Sequence, residues 1–455
     1  MQSDMTKGNP LSIIIRFTIP LFIGNVFQQL YNMCDTIIVG RFVGQNALAA
    51  VGSTGTIMFL ILGFCSGLTC GFTVLTSQRF GAGDMDGVKK SVANSVILSA
   101  VLIVIMTIGS LAIMKPLLHL MNTPDEIFAD AYAYISVICM GIVANVAYNL
   151  LSAFLRAVGN SKMPLVVLVL SAILNIILDL VLIIVFQMGT AGAALATDLS
   201  QGISSVLCLL YILKRVPELT PDKGMWHYYP EATAKQLRVG IPMAVQFAIT
   251  ASGTMIMQAA INLYGATAVA AFTAASKVQN LITQGNYSIG QTMATYVGQN
   301  YGAGEYERIK KGVRSASLSI SIYGVVAAVL VMVALQPIIS LFFSAGTDLS
   351  AMMPYARTYS ICCVIFYIPL GNIFVFRNAM QGCGYGLLPM LGGVVELVSR
   401  LILATASMMT MNFVLASMCD PFAWLTTCIF TGLSYRYVIR KVGESFGRQK
   451  GEIAA

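Results

Sequence analysis

A few polar side chains stand inside long apolar segments of this 455-residue chain, at positions suited to cation chemistry. Asp35 is the acidic residue of its segment, whereas Asn175 and Asp179 are four residues apart and share one face if that segment is helical. Thr197 and Asp198 belong to a further apolar segment, and Tyr134 belongs to another. Hard cations take carboxylate, amide and hydroxyl oxygens, and neighbouring carboxylates in a low dielectric also hold a proton more tightly. We therefore predict that these groups converge as a site for Na⁺ or H⁺.

The alternative interpretation is a structural network of buried hydrogen bonds that binds no ion.

Composition indicates that these residues are carried by a membrane protein. The chain is 57% hydrophobic and 10% charged, whereas an average soluble protein is roughly 45–50% apolar and about 25% charged. So few polar residues cannot cover the surface of a soluble protein of this length. Because ionisable side chains at membrane depth are costly, the buried acids are functional candidates by default.

Twelve apolar blocks separated by short polar breaks predict twelve transmembrane helices. The blocks are continuously apolar, whereas the strands of a membrane β-barrel alternate polar and apolar residues. The predicted spans are 11–40, 47–76, 88–114, 127–155, 164–186, 189–213, 236–263, 268–298, 312–343, 351–379, 387–410 and 413–438.

The two halves of the chain repeat each other. Phe80–Asp84 (FGAGD) resembles Tyr301–Glu305 (YGAGE), and Ile-Pro pairs stand at positions 19 and 241. Gly159 corresponds to Gly384 in the same order along the chain. We therefore predict an all-α polytopic membrane protein with twelve transmembrane helices in two pseudo-symmetric six-helix bundles. The predicted domains are an N-terminal bundle with the cation site (1–213), a cytoplasmic linker (214–235), a C-terminal bundle (236–440) and a cytoplasmic tail (441–455).

Charge placement predicts the orientation. Lysine and arginine cluster at both ends of the chain, in the linker and in the even-numbered loops, where Arg377 is included. The opposite side has Arg41, Lys115 and Arg357. The positive-inside rule then places both termini in the cytoplasm, in a multi-pass protein of the inner (plasma) membrane. The net charge of +8 follows from this bias, so no nucleic-acid partner is needed to explain it.

The ordered motifs resemble those of the multidrug and toxic compound extrusion (MATE) family. They are the Gln-x-x-Gly-Ala-Gly-acid stretches that begin at Gln78 and Gln299, the Ile-Pro pairs, and Arg156–Pro164 before the fifth span. The resemblance runs from about residue 11 to 440. It implies two six-helix bundles and export of organic, often cationic, compounds in exchange for Na⁺ or H⁺. It also implies cation-binding roles for Asp35, Asn175, Asp179 and Thr197, with Tyr134 nearby.

The second half does not repeat the acidic site, because Met257, Arg400 and Ala404 stand where the first half has Asp35, Asn175 and Asp179. We predict a single coupling site, in the N-terminal half. Substrate is expected to bind in a central cavity. We assign to this cavity Gln28, Tyr31, Gln246, Gln258, Lys277, Gln284, Gln291, Glu396 and Arg400.

Two of these assignments leave alternatives open. Glu396 and Arg400 are four residues apart and could instead neutralise each other as an intrahelical pair. Lys277 could pair with Glu396, extend to the membrane interface or line the cavity.

Composition also excludes several functions. The two histidines and ten scattered cysteines form no metal-binding pattern, and no phosphate-binding loop is present. We therefore predict no enzyme activity, no catalytic residues and no cofactor. The predicted function is secondary active antiport by a monomer that exports small cationic or amphipathic organic compounds in exchange for Na⁺ or H⁺ by alternating access. The alternative is a lipid-linked oligosaccharide flippase of the same superfamily.

Overall fold

The computed structural model describes residues 4–121, 123–340 and 349–454, and in these residues it is helical without any β-strand. The helices are α1 (Pro10–Phe42), α2 (Gln45–Gly81), α3 (Met85–Leu120), α4 (Asp125–Met140), α5 (Ile142–Ala157), α6 (Lys162–Leu180), α7 (Gly189–Arg215), α8 (Pro230–Asn262), α9 (Gly265–Gly302), α10 (Tyr306–Ser340), α11 (Met353–Ile365), α12 (Tyr367–Gly382), α13 (Leu387–Thr410), α14 (Phe413–Ser417) and α15 (Cys419–Ala454).

Each of the twelve predicted spans coincides with one helix or with two consecutive helices, so the all-α polytopic fold is confirmed. The end of the ninth predicted span, 341–343, lies outside the described residues. The fourth span is the pair α4 and α5, bent by 47°, and the tenth is the pair α11 and α12, bent by 50°. The sequence predicted neither bend.

Length and hydropathy alone identify fewer membrane spans than the twelve predicted from the sequence. Among the described residues, eight helices are long and apolar enough to cross a membrane, and ten spans result when each bent pair counts once. The helices of the eighth and twelfth predicted spans, α9 and α15, are not among them. In α9 the reason is a series of amide side chains that includes Gln279, Asn286 and Gln299, all of them buried.

Contacts divide the chain into two compact units. The N-terminal unit consists mainly of Ile19–Phe247, and the C-terminal unit contains Thr6–Thr18 and the chain from Ala248 onward. In the N-terminal unit α2 packs against α3, α4 and α5, and α7 packs against α4, α5 and α6. In the C-terminal unit α12 packs against α9, α10 and α15, and α13 packs against α15.

The repeated FGAGD motif forms a tight turn between two helices. After α2 ends, Gly83 adopts a φ of 71°, which is in the left-handed region that favours glycine. Asp84 then caps α3, because its Oδ1 accepts a hydrogen bond from the Gly87 amide at 2.8 Å. In the second half Gly304 has a φ of 72° between α9 and α10. The repeated sequence motif therefore forms the same kind of helix–turn–helix connection in both halves.

Glycines in α2 allow close packing against the first part of α8. A Cβ atom on Gly67 would lie 2.8 Å from the Cα atom of Ala244. A Cβ atom on Gly71 would overlap the backbone of Gly240. Because backbone atoms cannot move aside as a flexible side chain does, small residues are required at this crossing.

The polar connection between the halves is bound to α3. Lys89 Nζ pairs with Asp222 Oδ2 at 2.9 Å. Asn94 Nδ2, which is buried, donates to Thr233 Oγ1 at 2.9 Å and to Gln236 Oε1 at 2.7 Å. The segment therefore packs on the N-terminal unit. The domain boundaries proposed from the sequence stay predictions; α15 continues through the predicted tail as far as Ala454, and Ala455 lies outside the described residues.

Candidate functional site

The predicted cation ligands lie on three helices of the N-terminal unit. Asp35 is on α1, Asn175 and Asp179 are on α6, and Thr197 is on α7. The exposed fractions of Asp35, Asn175 and Asp179 are 8%, 1% and 0%, while Thr197 is half-buried. Tyr134 on α4 is 3% exposed. Most residues around these positions are apolar, so the helices that bury them also place the polar groups in the interior.

These side chains meet one another. The carboxyl groups of Asp35 and Asp179 lie within interaction range of each other. Asn175 Nδ2 is 3.4 Å from Thr197 Oγ1, to which it donates, and Thr197 Oγ1 donates to the Ala193 carbonyl oxygen at 3.2 Å. We refer to Asp35, Asn175, Asp179 and Thr197 as the oxygen cluster.

Four oxygen atoms of the oxygen cluster are buried without a hydrogen-bond partner. They are Asp35 Oδ1, Asn175 Oδ1 and both carboxylate oxygens of Asp179. Buried polar atoms are normally paired, because an unpaired one loses its hydration without compensation. Two carboxylates and an amide oxygen in this condition fit a hard cation or a shared proton, either of which would satisfy them.

A short stretch of π-helix, Val181–Val185, follows α6 directly after the acidic residue Asp179. In this stretch the Phe186 amide donates to the Val181 carbonyl at 3.1 Å, a five-residue step instead of the usual four. Such a step changes the direction in which successive side chains point, and π-turns are frequent at functional sites. The sequence carried no signal for it.

Two tyrosines surround the oxygen cluster. Tyr134 lies in electrostatic range of Asp35 and Asp179, and so does Tyr31. Tyr31 was assigned to the substrate cavity, but its side chain lies within interaction range of Gln28 and Gln201 in this unit. The structure therefore links Gln28 and Tyr31 to the border of the oxygen cluster.

Two polar residues of α7 were not among the predicted cation ligands. Gln201 accepts a hydrogen bond from Asn145 Nδ2 at 3.1 Å and contacts Tyr31. Asp198 lies against Gly141, the residue at the bend between α4 and α5, so closely that a Cβ atom there would overlap its carboxylate. The spacing of four residues from Thr197 is the signal that could have identified Gln201.

The remaining residues that were predicted to line a substrate cavity differ in their neighbours and exposure. Gln258 Nε2 donates to Asn262 Oδ1 at 2.8 Å, and Gln284 Nε2 donates to the Asn280 carbonyl oxygen at 3.3 Å. Lys277 is exposed on α9. Gln246 and Gln291 are half-buried. The assignment of these residues to a substrate cavity stays a prediction.

Glu396 and Arg400 belong to a buried network in the C-terminal unit, where Arg400 Nη2 lies 2.7 Å from Glu396 Oε1. The predicted intrahelical pair is therefore present. Arg377 Nη2 also contacts Glu396 Oε2, at 3.3 Å, so Glu396 is paired with these two arginines instead of Lys277. The interpretation of Arg377 as a loop charge was wrong, because this side chain is 6% exposed on α12 and pairs with a carboxylate far away in sequence.

The fold and the site together define a polytopic helical membrane protein with an oxygen-rich interior site. Comparison with known proteins identifies its family. The profile of the MatE family matches residues 20–181 and 242–406, which are most of the chain. The chain is 30% identical to the probable multidrug resistance protein YpnP of Bacillus subtilis (strain 168) over 84% of each chain.

A second relative is the probable multidrug resistance protein NorM of Thermotoga maritima, which is 27% identical over 73% of this chain and 72% of its own. A MOP superfamily transporter from Pyrococcus furiosus has the same fold, with a TM-score of 0.90, 24% identity and coverage of 96% of this chain and 98% of its own. This protein belongs to the MatE family, whose members are transporters and not enzymes.

Proposed function

We propose that this protein is a cation-coupled antiporter that exports small organic compounds, with the oxygen cluster of the N-terminal unit as its coupling site. The observation that carries the proposal is the set of four buried, unpartnered oxygens of Asp35, Asn175 and Asp179. Two adjacent carboxylates in a low dielectric require a positive charge, which Na⁺ or H⁺ supplies.

Coupling follows from the charge change at this site. With no cation bound, two carboxylates repel each other between α1 and α6. Binding of a cation neutralises the repulsion and favours a packing in which the two helices stay close. A conformational equilibrium shifts only by the difference in binding free energy between its two states. Preferential binding of the cation to one access state therefore drives the exchange, and the exported compound need not touch the cation.

The substrate class comes from the relatives. Two of them are probable multidrug resistance proteins, which supports small cationic or amphipathic organic compounds as cargo. These relatives give no support to the lipid-linked oligosaccharide flippase. We further propose that the protein is a monomer in the inner (plasma) membrane with both termini in the cytoplasm, as the distribution of lysine and arginine predicts.

Proteoliposomes that contain the purified protein test the coupling. A fluorescent organic cation is loaded, and its transport is followed under an imposed Na⁺ gradient at constant pH, or an imposed pH gradient without Na⁺. We expect one of the two gradients to drive transport against the dye gradient. The substitutions Asp35→Asn and Asp179→Asn should each reduce this driven transport at least about tenfold, since each removes a carboxylate ligand of the driving ion.

Asp125→Asn is the matched control, because it makes the same chemical change at an exposed residue at the start of α4. It should transport like the wild type. Gradient-driven transport at the wild-type rate by a folded Asp35→Asn or Asp179→Asn protein would falsify the proposal.

A further inference from the structure

The C-terminal unit contains a buried charge network that the proposed coupling does not use. Its members are 4–7% exposed, and they are Arg377, Glu396, Arg400 and Asp420. Glu396 contacts both arginines, and Arg400 Nε also donates to Asp420 Oδ1 at 2.8 Å. Two guanidinium groups thus balance two carboxylates. Arg400 is the only one of the two arginines that contacts Asp420 in the described ion pairs.

The internal repeat relates Arg400 to the oxygen cluster. Arg400 of α13 corresponds to Asn175 of α6 at the offset that separates Gly159 from Gly384. By the offset between the two Ile-Pro pairs, Gly253 of α8 corresponds to Tyr31 of α1. The first helix and the fifth span of each half can therefore be compared residue by residue. Where the N-terminal half has Tyr31 and Asn175, the C-terminal half has Gly253 and Arg400.

The contacts support this correspondence. A Cβ atom on Gly253 would lie 2.6 Å from Arg400 Nη1, so the guanidinium group lies against the backbone of α8. In the N-terminal unit the equivalent residue, Tyr31 of α1, lies in electrostatic range of Asp179 of α6. The same two helices of each repeat thus approach each other, with Asp179 one helical turn beyond Asn175, the residue equivalent to Arg400. The glycine in α8 leaves the room that the guanidinium group fills.

The acidic ligands have no counterpart in the C-terminal unit. Met257 and Ala404 occupy the positions of Asp35 and Asp179, and they are 6% and 1% exposed. This unit therefore lacks the two carboxylates at the helix crossing and has a fixed positive charge there. The buried carboxylates among its described residues, those of Glu396 and Asp420, are already paired with arginine.

We propose that the Arg400 guanidinium group is a resident cation, which fills in the C-terminal unit the place that an exchangeable cation takes in the N-terminal unit. This rests on the proposed cation binding by the oxygen cluster. An arginine remains charged at all physiological pH values and cannot dissociate from its chain. The C-terminal charge network therefore stays compensated throughout the transport cycle, and ion exchange is confined to one unit. Removal of the side chain creates a site for a guanidinium ion, Na⁺ or a proton beside Asp420.

The other groups around Asp420 do not replace this charge. Tyr359 and Cys363 of α11 and the neighbouring Cys419 lie in electrostatic range of its carboxylate, and none of them carries a positive charge. Buried carboxylates that lose their partner are strongly destabilising. Without Arg400, an external cation or a proton is the remaining means of compensation.

The test uses the full-length protein with Asp35→Asn and Asp179→Asn as the parent, so that the oxygen cluster contributes no cation response. Arg400→Ala is added, and the thermal unfolding midpoint in detergent is measured with methylguanidinium, with Na⁺ against choline, and across pH. We expect the Arg400→Ala protein to gain about 5 °C with millimolar methylguanidinium, with Na⁺, or on acidification. The parent and its Arg400→Lys derivative should show no such gain.

A folded Arg400→Ala protein that responds to none of the three conditions overturns the inference. If Arg400→Ala does not fold, the double substitution Arg400→Ala with Asp420→Asn removes the uncompensated charge. Restored folding of the double variant supports charge compensation by Arg400, and its failure to fold contradicts it. A wild-type protein without any cation response would instead contradict the proposed coupling site, so the two failures are distinguishable.

Discussion

At the level of single residues, the oxygen cluster contains the acids of the described chain, Asp35 and Asp179, that have carboxylate oxygens buried without a hydrogen-bond partner. Asn175 Oδ1 and the carboxylate oxygens of Asp179 are buried without partners, although the Asn175 amide group does donate to Thr197. A network built only for stability would pair such atoms, because each unpaired buried acceptor costs about 1–3 kcal/mol. The unpaired carboxylate oxygens therefore support the proposed binding site over the structural network considered from the sequence.

Thr197 provides a direct test of this explanation. Thr197→Val keeps the shape of the side chain and removes its hydroxyl oxygen, so the apparent affinity for the driving cation should fall about tenfold, which corresponds to about 1.4 kcal/mol. The affinity is measured as the concentration of Na⁺ or H⁺ that gives half-maximal transport. Thr197→Ser keeps the oxygen and should differ from the wild type by less than about threefold. Equal affinities in the Val and Ser variants would exclude Thr197 as a ligand.

At the level of helices, close backbone approach and sharp bends determine where side chains meet. The crossing of α2 with α8 depends on Gly67 and Gly71, and the bend between α4 and α5 falls at Gly141. Neither requirement concerns the cation chemistry directly. Both help to determine the positions of the helices that carry the polar groups.

The α2–α8 crossing predicts different effects on stability for two alanine substitutions in α2. Gly67→Ala should lower the free energy of unfolding by about 1–3 kcal/mol, because the new Cβ atom meets the backbone of α8. In Gly55→Ala, the new Cβ atom meets no neighbouring group within 4 Å. It should be neutral or stabilise by up to about 1 kcal/mol through the entropy of the unfolded chain. Thermal unfolding in detergent measures both, and equal effects would contradict the close approach.

The bend at Gly141 makes a prediction about Asp198. Gly141→Ala places a Cβ atom where the Asp198 carboxylate lies, so this substitution should destabilise the protein by about 1–3 kcal/mol. Asp198→Ala in the same chain removes the overlap. The double variant should therefore be more stable than the sum of the two single effects indicates. Additive effects in this double-mutant cycle, measured by unfolding, would show that the two residues do not collide.

At the level of the whole molecule, the two units share a helical plan but differ in their buried charges. The N-terminal unit buries Asp35 and Asp179 without a basic partner among their described interactions, whereas the C-terminal unit buries two arginines with two acids. Duplication of a fold thus preserved the helices and their turns. It did not preserve the chemistry at the equivalent helix crossing.

Orientation can be tested on the whole chain. A fluorescent protein fused after the last residue should be fluorescent, and alkaline phosphatase fused there should be inactive, because the positive-inside rule places the C-terminus in the cytoplasm. A phosphatase fusion after Met121, between the third and fourth predicted spans, should be active. The reverse pattern of activities would contradict the proposed orientation.

The sequence alone determined the membrane class, the positions of the twelve helical segments, the repeat and the candidate ligands. It could do so because apolar length, charge bias and four-residue spacing are local properties of a chain. It also identified the intrahelical pair of Glu396 and Arg400, since i and i+4 side chains meet on any helix.

Only the tertiary structure decided which distant groups are in contact. The pairing of Arg377 with Glu396, the position of Asp198 at the α4–α5 bend and the partnerless oxygens of Asp179 all depend on how separate helices pack. A single sequence carries no distance between segments that are far apart along the chain. The two helix bends and the stretch of π-helix were not predicted for a related reason. They depend on the packing around a helix as well as on its own residues.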